Sequence, residues 1–210
     1  MTTENNTCGC GACDGMLDMN DYSGSLIGTE MPHFSMPAYV DGKVKTLSLA
    51  DYKDKWYVLF FYPADFTFVC PTELEELANV YEQFKTIGCE IISVSTDTAY
   101  AHKAWQDVSP AIKKVKYPMA SDANHQLSTY CNVLIDEEGM ALRGTFIVDP
   151  DGVIKSMEVN DNSIGRSAKE LLRKVKAAQF VREHGDQVCP ASWEEGDETL
   201  TPGMDLVGKI

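Results

Sequence analysis

An unbroken apolar run at residues 56–62, W-Y-V-L-F-F-Y, places the tightest constraint on this chain. It has strand length and a strand's aromatic and β-branched content, and it alternates nowhere. A strand with one wet face would alternate, so the run predicts a central strand buried on both faces. Such a strand needs apolar layers above and below its sheet.

The remaining patterns supply those layers. Residues 34–49 resemble a hairpin turning at Asp41-Gly42, followed by a short turn or helix at 48–54. Leu74, Leu77, Tyr81 and Phe84 share one face of a helix that starts at Cys70 and ends near Gly88. E-I-I-S-V-S-T at 90–96 predicts a second central strand. A helical pattern at 99–108 includes His102 and Trp105 and stops before Pro110. A short strand is expected at 117–121 and a short helix at 124–130. R-G-T-F-I-V-D at 143–149 reads as a strand, Pro150-Asp151-Gly152 as a turn, and 153–159 as its antiparallel return. Residues 167–182 form a helix whose face is marked by Leu171, Leu172, Val175, Ala178 and Val181. The order βαβαβ…ββα predicts an α/β, thioredoxin-like fold: a central mixed β-sheet, flanking helices, an N-terminal β-hairpin and a C-terminal tail.

With 210 residues, one domain with tails is expected. The divisions fall at 1–25, a flexible extension, 26–182, the folded domain, and 183–210, an irregular tail that needs another surface to order it. A net charge of −14 argues against nucleic acid or an anionic membrane as partner. The polar N-terminus has no apolar signal segment, and no window approaches a membrane span, so a cytoplasmic location is expected. Stable disulfides are rare there, and the seven cysteines point to redox chemistry, metal binding or packing. Cys8, Cys10 and Cys13 form C-G-C-G-A-C in the extension. They read as free thiols, with soft-metal capture or an auxiliary thiol relay as the alternatives, since a complete metal site usually has four ligands. No dinucleotide fingerprint or phosphate loop appears, so no cofactor is expected.

Cys70 lies where the buried strand gives way to a helix, within P-A-D-F-T-F-V-C-P-T-E at 63–73. The first turn of a helix offers unpaired N–H groups and the positive end of the dipole. Both favour thiolate, the nucleophilic form. A packed, inert cysteine is the ordinary alternative. Thr67, Pro71 and Thr72 beside it, at a junction where α/β folds place their chemistry, favour function. The chain's overall negative field opposes a thiolate, so a reactive Cys70 needs a nearby cation.

P-x-x-x-T-x-x-C at Pro63, Thr67 and Cys70 resembles the signature of the peroxiredoxins. The resemblance runs from about residue 30 to the end and is closest to typical two-cysteine, alkyl hydroperoxide reductase C-type members. It includes V-S-T-D-T (94–98), H-K-A-W (102–105), R-G-T-F-I-V-D-P-D-G (143–152), I-G-R (164–166), V-C-P-A-S-W (188–193) and D-L-V-G-K-I (205–210). It implies a thiol-dependent peroxidase acting on hydrogen peroxide and alkyl hydroperoxides. Cys70 would be oxidised to sulfenic acid, and Cys189 of another subunit would resolve it as a disulfide. It further implies that Arg143 stabilises thiolate and peroxide, that Thr67 bonds the peroxide oxygens, that Pro63 shields the thiolate, that Glu73 orients Arg143, and that Arg166 is a second active-site arginine. The plainer alternatives are a surface strand-end salt bridge for Arg143, a helix N-cap for Thr67, a strand terminator for Pro63, a dipole-favouring acid for Glu73, a solvated loop charge for Arg166 and a free loop thiol for Cys189.

Implied partners are a homodimer assembling into a decamer, and either a flavoprotein disulfide reductase or a thioredoxin-like reductant. Cys89 and Cys131 are assigned to packing, His102 to a helix surface or interface, and Trp105 to structure. The stretch before Arg143, I-D-E-E-G-M-A-L, departs from the G-G-L-G of over-oxidation-sensitive members, and the chain ends without their Tyr-Phe helix, which implies resistance to over-oxidation. A redox-regulated chaperone or binding module is the alternative function.

Overall fold

The computed structural model describes residues 24–210, so Cys8, Cys10 and Cys13 lie outside the described residues. A seven-stranded sheet, in the order β2-β1-β5-β4-β3-β8-β9, forms its centre. The strands are β1 (Ser35–Val40), β2 (Lys43–Ser48), β3 (Trp56–Phe61), β4 (Cys89–Ser95), β5 (Met119–Ser121), β8 (Arg143–Val148) and β9 (Ile154–Asn160). Between β5 and β8, β6 (Leu134–Ile135) and β7 (Met140–Ala141) make a small separate hairpin that the sequence patterns did not predict. Two-residue strands are too short to show a period. The helices are α1 (Cys70–Thr86), α2 (Ala99–Val108), α3 (Gln126–Tyr130) and α4 (Ala168–Glu183).

The run at 56–62 behaves as its composition requires. Every residue of β3 is buried, and the strand pairs in parallel with β4 and antiparallel with β8. Its side chains alternate between two cores. Val58, Phe60 and Tyr62 pack with Leu74, Leu77 and Phe84 of α1 and Leu171 and Val175 of α4. Tyr57, Leu59 and Phe61 face the opposite layer with Leu127 of α3, Val133 and Phe146. The expected hairpin is present as β1 and β2, turning at Asp41 and Gly42, both at positive φ.

Two expectations fail in this architecture. Val181, expected on the buried face of α4, is 37% exposed in the last turn of the helix. His102 was expected at a surface or interface, yet it is fully buried. Helix α2 turns the stripe Ala99, His102 and Trp105 inward, and that stripe includes the histidine.

The tail after α4 is irregular, but it does find a surface. Val188 and Leu200 form an isolated bridge, and residues 204–206 form a 3-10 turn. Trp193 is buried against Phe180 of α4, with ring centroids 5.0 Å apart. Arg173 of α4 donates to the Trp193 carbonyl at 2.9 Å. The surface that orders this stretch is therefore the chain's own last helix.

Candidate active site

Cys70 opens α1 at the end of the loop that leaves β3, and it is fully buried. Pro71 sits in the first turn, where its missing N–H costs nothing. No side chain caps this helix start, and the N-cap position is Val69. The alternative of Thr67 as an N-cap is thereby excluded: its hydroxyl donates instead to the Ala64 carbonyl at 2.8 Å. Pro63 is buried at the end of β3, and Thr67 is half-buried in the loop. The Thr72 and Glu73 N–H groups donate to the Val69 carbonyl at 3.0 and 3.2 Å, so what this helix start offers Cys70 is the positive end of its dipole.

Arg143 comes from the first position of β8, the strand beside β3. Its Nη1 donates to Cys70 Sγ at 3.5 Å and to Glu73 Oε2 at 2.7 Å. Nε and Nη2 both donate to the Asn162 carbonyl, at 3.0 and 2.8 Å. Glu73, one helical turn after Cys70, is buried and also receives Arg166. The Arg166 backbone N and Nε donate to Oε1 at 2.7 and 2.9 Å, and Nη2 donates to Oε2 at 3.0 Å. The remaining nitrogen, Nη1, donates to the Gly144 carbonyl and to Thr145 Oγ1. The guanidinium lies 3.5 Å over the Phe60 ring, a cation–π contact inside the core. Burial pulls Arg166 below the ordinary guanidinium value, and the bond and charge of Glu73 oppose it.

Arg143 and Arg166 are thus buried: the first does pair with Glu73 from a strand end, but not at the surface, and the second is not a solvated loop charge. Two buried cations and one buried anion leave one net positive charge beside Cys70, which a thiolate at Cys70 balances. The cation demanded by the chain's negative overall charge is therefore local. Gly144 makes the approach possible: a Cβ there would lie 2.7 Å from Val133 Cγ1, so a larger residue would push β8, and Arg143 with it, off its place.

Cys189 is not brought to Cys70. It lies on the tail against α4, partly exposed, with Sγ 3.9 Å from the Ala177 carbonyl. Burial pushes its thiol up and the Arg173 charge pulls it back. Cys89 and Cys131 are buried, and burial drives both thiols far above the ordinary cysteine range, which fits packing.

The sequence patterns missed Asp65, which is buried between Cys70's loop and α2 and bonded to His102 Nδ1 at 2.8 Å. The inward stripe of α2 was the available signal, because it put His102 in phase with Trp105.

A model of the AhpC/TSA family matches residues 27–157, and one for the C-terminal domain of 1-Cys peroxiredoxin matches residues 177–205. Alkyl hydroperoxide reductase C of Amphibacillus xylanus is 53% identical over 187 residues, covering 89% of this chain and all of that protein. The same-named protein of Bacillus subtilis is 53% identical over 186 residues, again over 89% of this chain and all of its own length. The crystal structure of Enterococcus faecalis AhpC superposes with a TM-score of 0.78 at 50% identity, covering 80% of this chain and 100% of that one. Reduced 2-Cys peroxiredoxin of Plasmodium vivax superposes with a TM-score of 0.83 at 33% identity, over 87% and 96% of the two chains.

A thioredoxin-like sheet with a buried cysteine under an arginine at its helix start thus defines a thiol-dependent peroxidase, the class of the peroxiredoxins. Within that class the chain belongs to the AhpC/TSA family, in the two-cysteine, alkyl hydroperoxide reductase C branch.

Proposed function

We propose that Cys70 is the peroxidatic cysteine of an enzyme that reduces hydrogen peroxide and alkyl hydroperoxides in antioxidant defence. The Cys70 thiolate attacks the terminal peroxide oxygen. The O–O bond breaks, the leaving oxygen takes a proton to become water or an alcohol, and Cys70 is left as the sulfenic acid. Arg143 holds the thiolate and the charge developing on the peroxide oxygens. Glu73 fixes Arg143 and is itself fixed by Arg166. Thr67 and Pro63 line the approach, the first as a hydroxyl partner of the peroxide and the second as a shield from water.

Cys189 of a second subunit then attacks the sulfenic sulfur, forming a disulfide and releasing water. Disulfide formation requires Cα atoms about 4.4–6.8 Å apart. Cys70 is enclosed at the start of α1 and Cys189 is held on α4, so the first turn of α1 opens and the tail leaves its helix in each cycle. Two electrons and two protons from a partner restore the thiols. That partner is a flavoprotein disulfide reductase or a thioredoxin-like protein. The outer edge of β9 beyond Ile154 and the exposed rings of Phe66, Phe68 and Tyr100 support a homodimer and its assembly into a decamer. Among the described residues no helix is long and apolar enough to cross a membrane. A cytoplasmic location is part of this reading.

The observation that carries this reading is the contact of Arg143 with Cys70 Sγ, made from a buried cluster of net positive charge. The test is peroxide consumption with each class of electron donor. Cys70→Ser abolishes turnover with every donor, and a Cys70→Ser protein that still consumed peroxide would overturn the reading.

A further inference from the structure

The loop at 63–69 carries Pro63 and Thr67; within it the Thr67 hydroxyl donates to the Ala64 carbonyl, and the Phe66 ring lies 5.9 Å from Trp105 of α2. Phe66 sits at φ +59, and the side chains of Phe66 and Phe68 are exposed. The residue that fastens the loop is Asp65. Its Oδ1 accepts from the Tyr62 hydroxyl at 2.8 Å, and its Oδ2 lies 2.8 Å from His102 Nδ1. The side chains of Asp65 and His102 are 2% and 0% exposed. The Asp65 backbone N–H donates to Asp97 Oδ2 at 2.8 Å, and Asp97 in turn accepts from Ser95 Oγ. The other ring nitrogen of His102, Nε2, lies 3.2 Å from the Ala120 carbonyl on β5.

Nδ1 faces the Asp65 carboxylate and, at 3.4 Å, the Tyr62 hydroxyl, while Nε2 faces the Ala120 carbonyl. Both ring nitrogens are therefore engaged, and the ring is held from two sides inside the protein. Tyr62 and Asp97 are the other ionisable groups around the pair. Tyr62 directly follows β3 and Asp97 lies in the segment after β4, while β5 contributes only a carbonyl. A buried hydrogen bond adds little net stability, because folding gives up bonds to water for it. What it does supply is a unique geometry. This pair joins β3, the loop, α2 and β5 at one point, and none of its atoms is among the hydrogen-bond partners of Cys70, Arg143 or Glu73.

We propose that His102 is a positioning residue for the peroxide reaction: through Asp65 it fixes the loop that carries Pro63 and Thr67, so the pocket wall keeps its place against Cys70. The inference rests on the reading of Cys70 as the cysteine that attacks peroxide. Misplacing a reacting group by about 1 Å costs on the order of a hundredfold in rate, so a loosened loop has a measurable consequence.

The test compares two reactions of Cys70 in the full-length protein. The peroxide reaction needs both the thiolate and the placed pocket, whereas alkylation by iodoacetamide, followed at Cys70 by mass spectrometry, needs only an accessible thiolate. In His102→Gln the rate constant with hydrogen peroxide should fall about tenfold or more. Alkylation should stay within about twofold, and kcat at saturating peroxide should change less than kcat/KM. Tyr62→Phe removes one bond to Asp65 and keeps the ring; it should show the same split at about threefold, and it decides the question if His102→Gln does not fold. A peroxide rate unchanged in both variants overturns the proposal. So does a parallel fall of both reactions that tracks the loss in Tm, which marks a purely structural role. Wild-type protein inert to peroxide would instead overturn the peroxidase reading, and this inference with it.

Discussion

One nitrogen of Arg143, Nη1, lies 3.5 Å from Cys70 Sγ and 2.7 Å from Glu73 Oε2. The thiol and the carboxylate thus share a donor, and the carboxylate is the nearer of the two. Glu73 keeps its share modest because Arg166 engages both of its oxygens as well. The result is a cation that is held in place without being neutralised.

Arg143→Lys tests the fork rather than the charge. Lysine keeps the positive charge but cannot donate simultaneously to Cys70, Glu73 and the Asn162 carbonyl in one plane. The rate of Cys70 oxidation by hydrogen peroxide should fall about a hundredfold, the usual effect of removing an oxyanion donor. Stopped-flow tryptophan fluorescence measures it, and a rate within threefold of wild type would show that charge alone suffices.

Glu73→Gln tests the cluster's balance. It leaves two buried guanidiniums, Arg143 and Arg166, with no anion between them. Breaking a buried pair from one side typically costs about 3–5 kcal/mol. For a domain of this size that corresponds to a fall in Tm of roughly 6–20 °C by calorimetry. A shift of less than 2 °C would mean that the arginines find other partners.

Disulfide formation should depend on pH through Cys189. Burial raises its thiol above the ordinary value, and Arg173 only partly offsets this. A raised value means less thiolate at any given pH, so the attacking form is scarce at neutrality and grows as pH rises. After one equivalent of peroxide, the rate of covalent dimer formation on non-reducing gels should climb steadily from pH 6 to pH 9. A flat profile would place another step, such as opening of α1, in control.

Trp193→Ala should release the tail. Trp193 is 2% exposed, packs on Phe180 and donates from Nε1 to the Asp197 carbonyl at 3.2 Å. Without its ring the tail loses its one large buried anchor and keeps the Val188–Leu200 bridge, the Arg173 bond, the Cys189 contact with the Ala177 carbonyl and surface ion pairs. Limited proteolysis should cleave after residue 183 several-fold faster, and dimer formation after peroxide should quicken. The first oxidation of Cys70 should be unchanged, since the tail makes no hydrogen bond to Cys70, Arg143 or Glu73.

Much of the fold was legible because its signals are local. The run at 56–62 and the amphipathic faces of α1 and α4 each follow from neighbours within a few residues. Val181 escaped the pattern because periodicity says which side a residue is on and not where the partner surface ends. The β6–β7 hairpin escaped because it is too short to have a period. His102 escaped for a different reason: a histidine on a helix reads as polar, and its burial depends on a carboxylate 37 residues away.

The amino-acid sequence by itself determined the strand-to-helix junction, the cysteine at its helix start and the family signature around it, because these lie within a dozen consecutive residues. It also set the requirement for a local cation, through the net charge of −14. Only the tertiary structure decided how that requirement is met. Glu73 is 70 residues from Arg143 and 93 from Arg166, and β8 must lie beside β3 before the three meet. Folding also decided that the cluster is dry. The same charges exposed to water would be screened to little effect, whereas enclosed by the sheet and α1 they act at full strength on one sulfur atom.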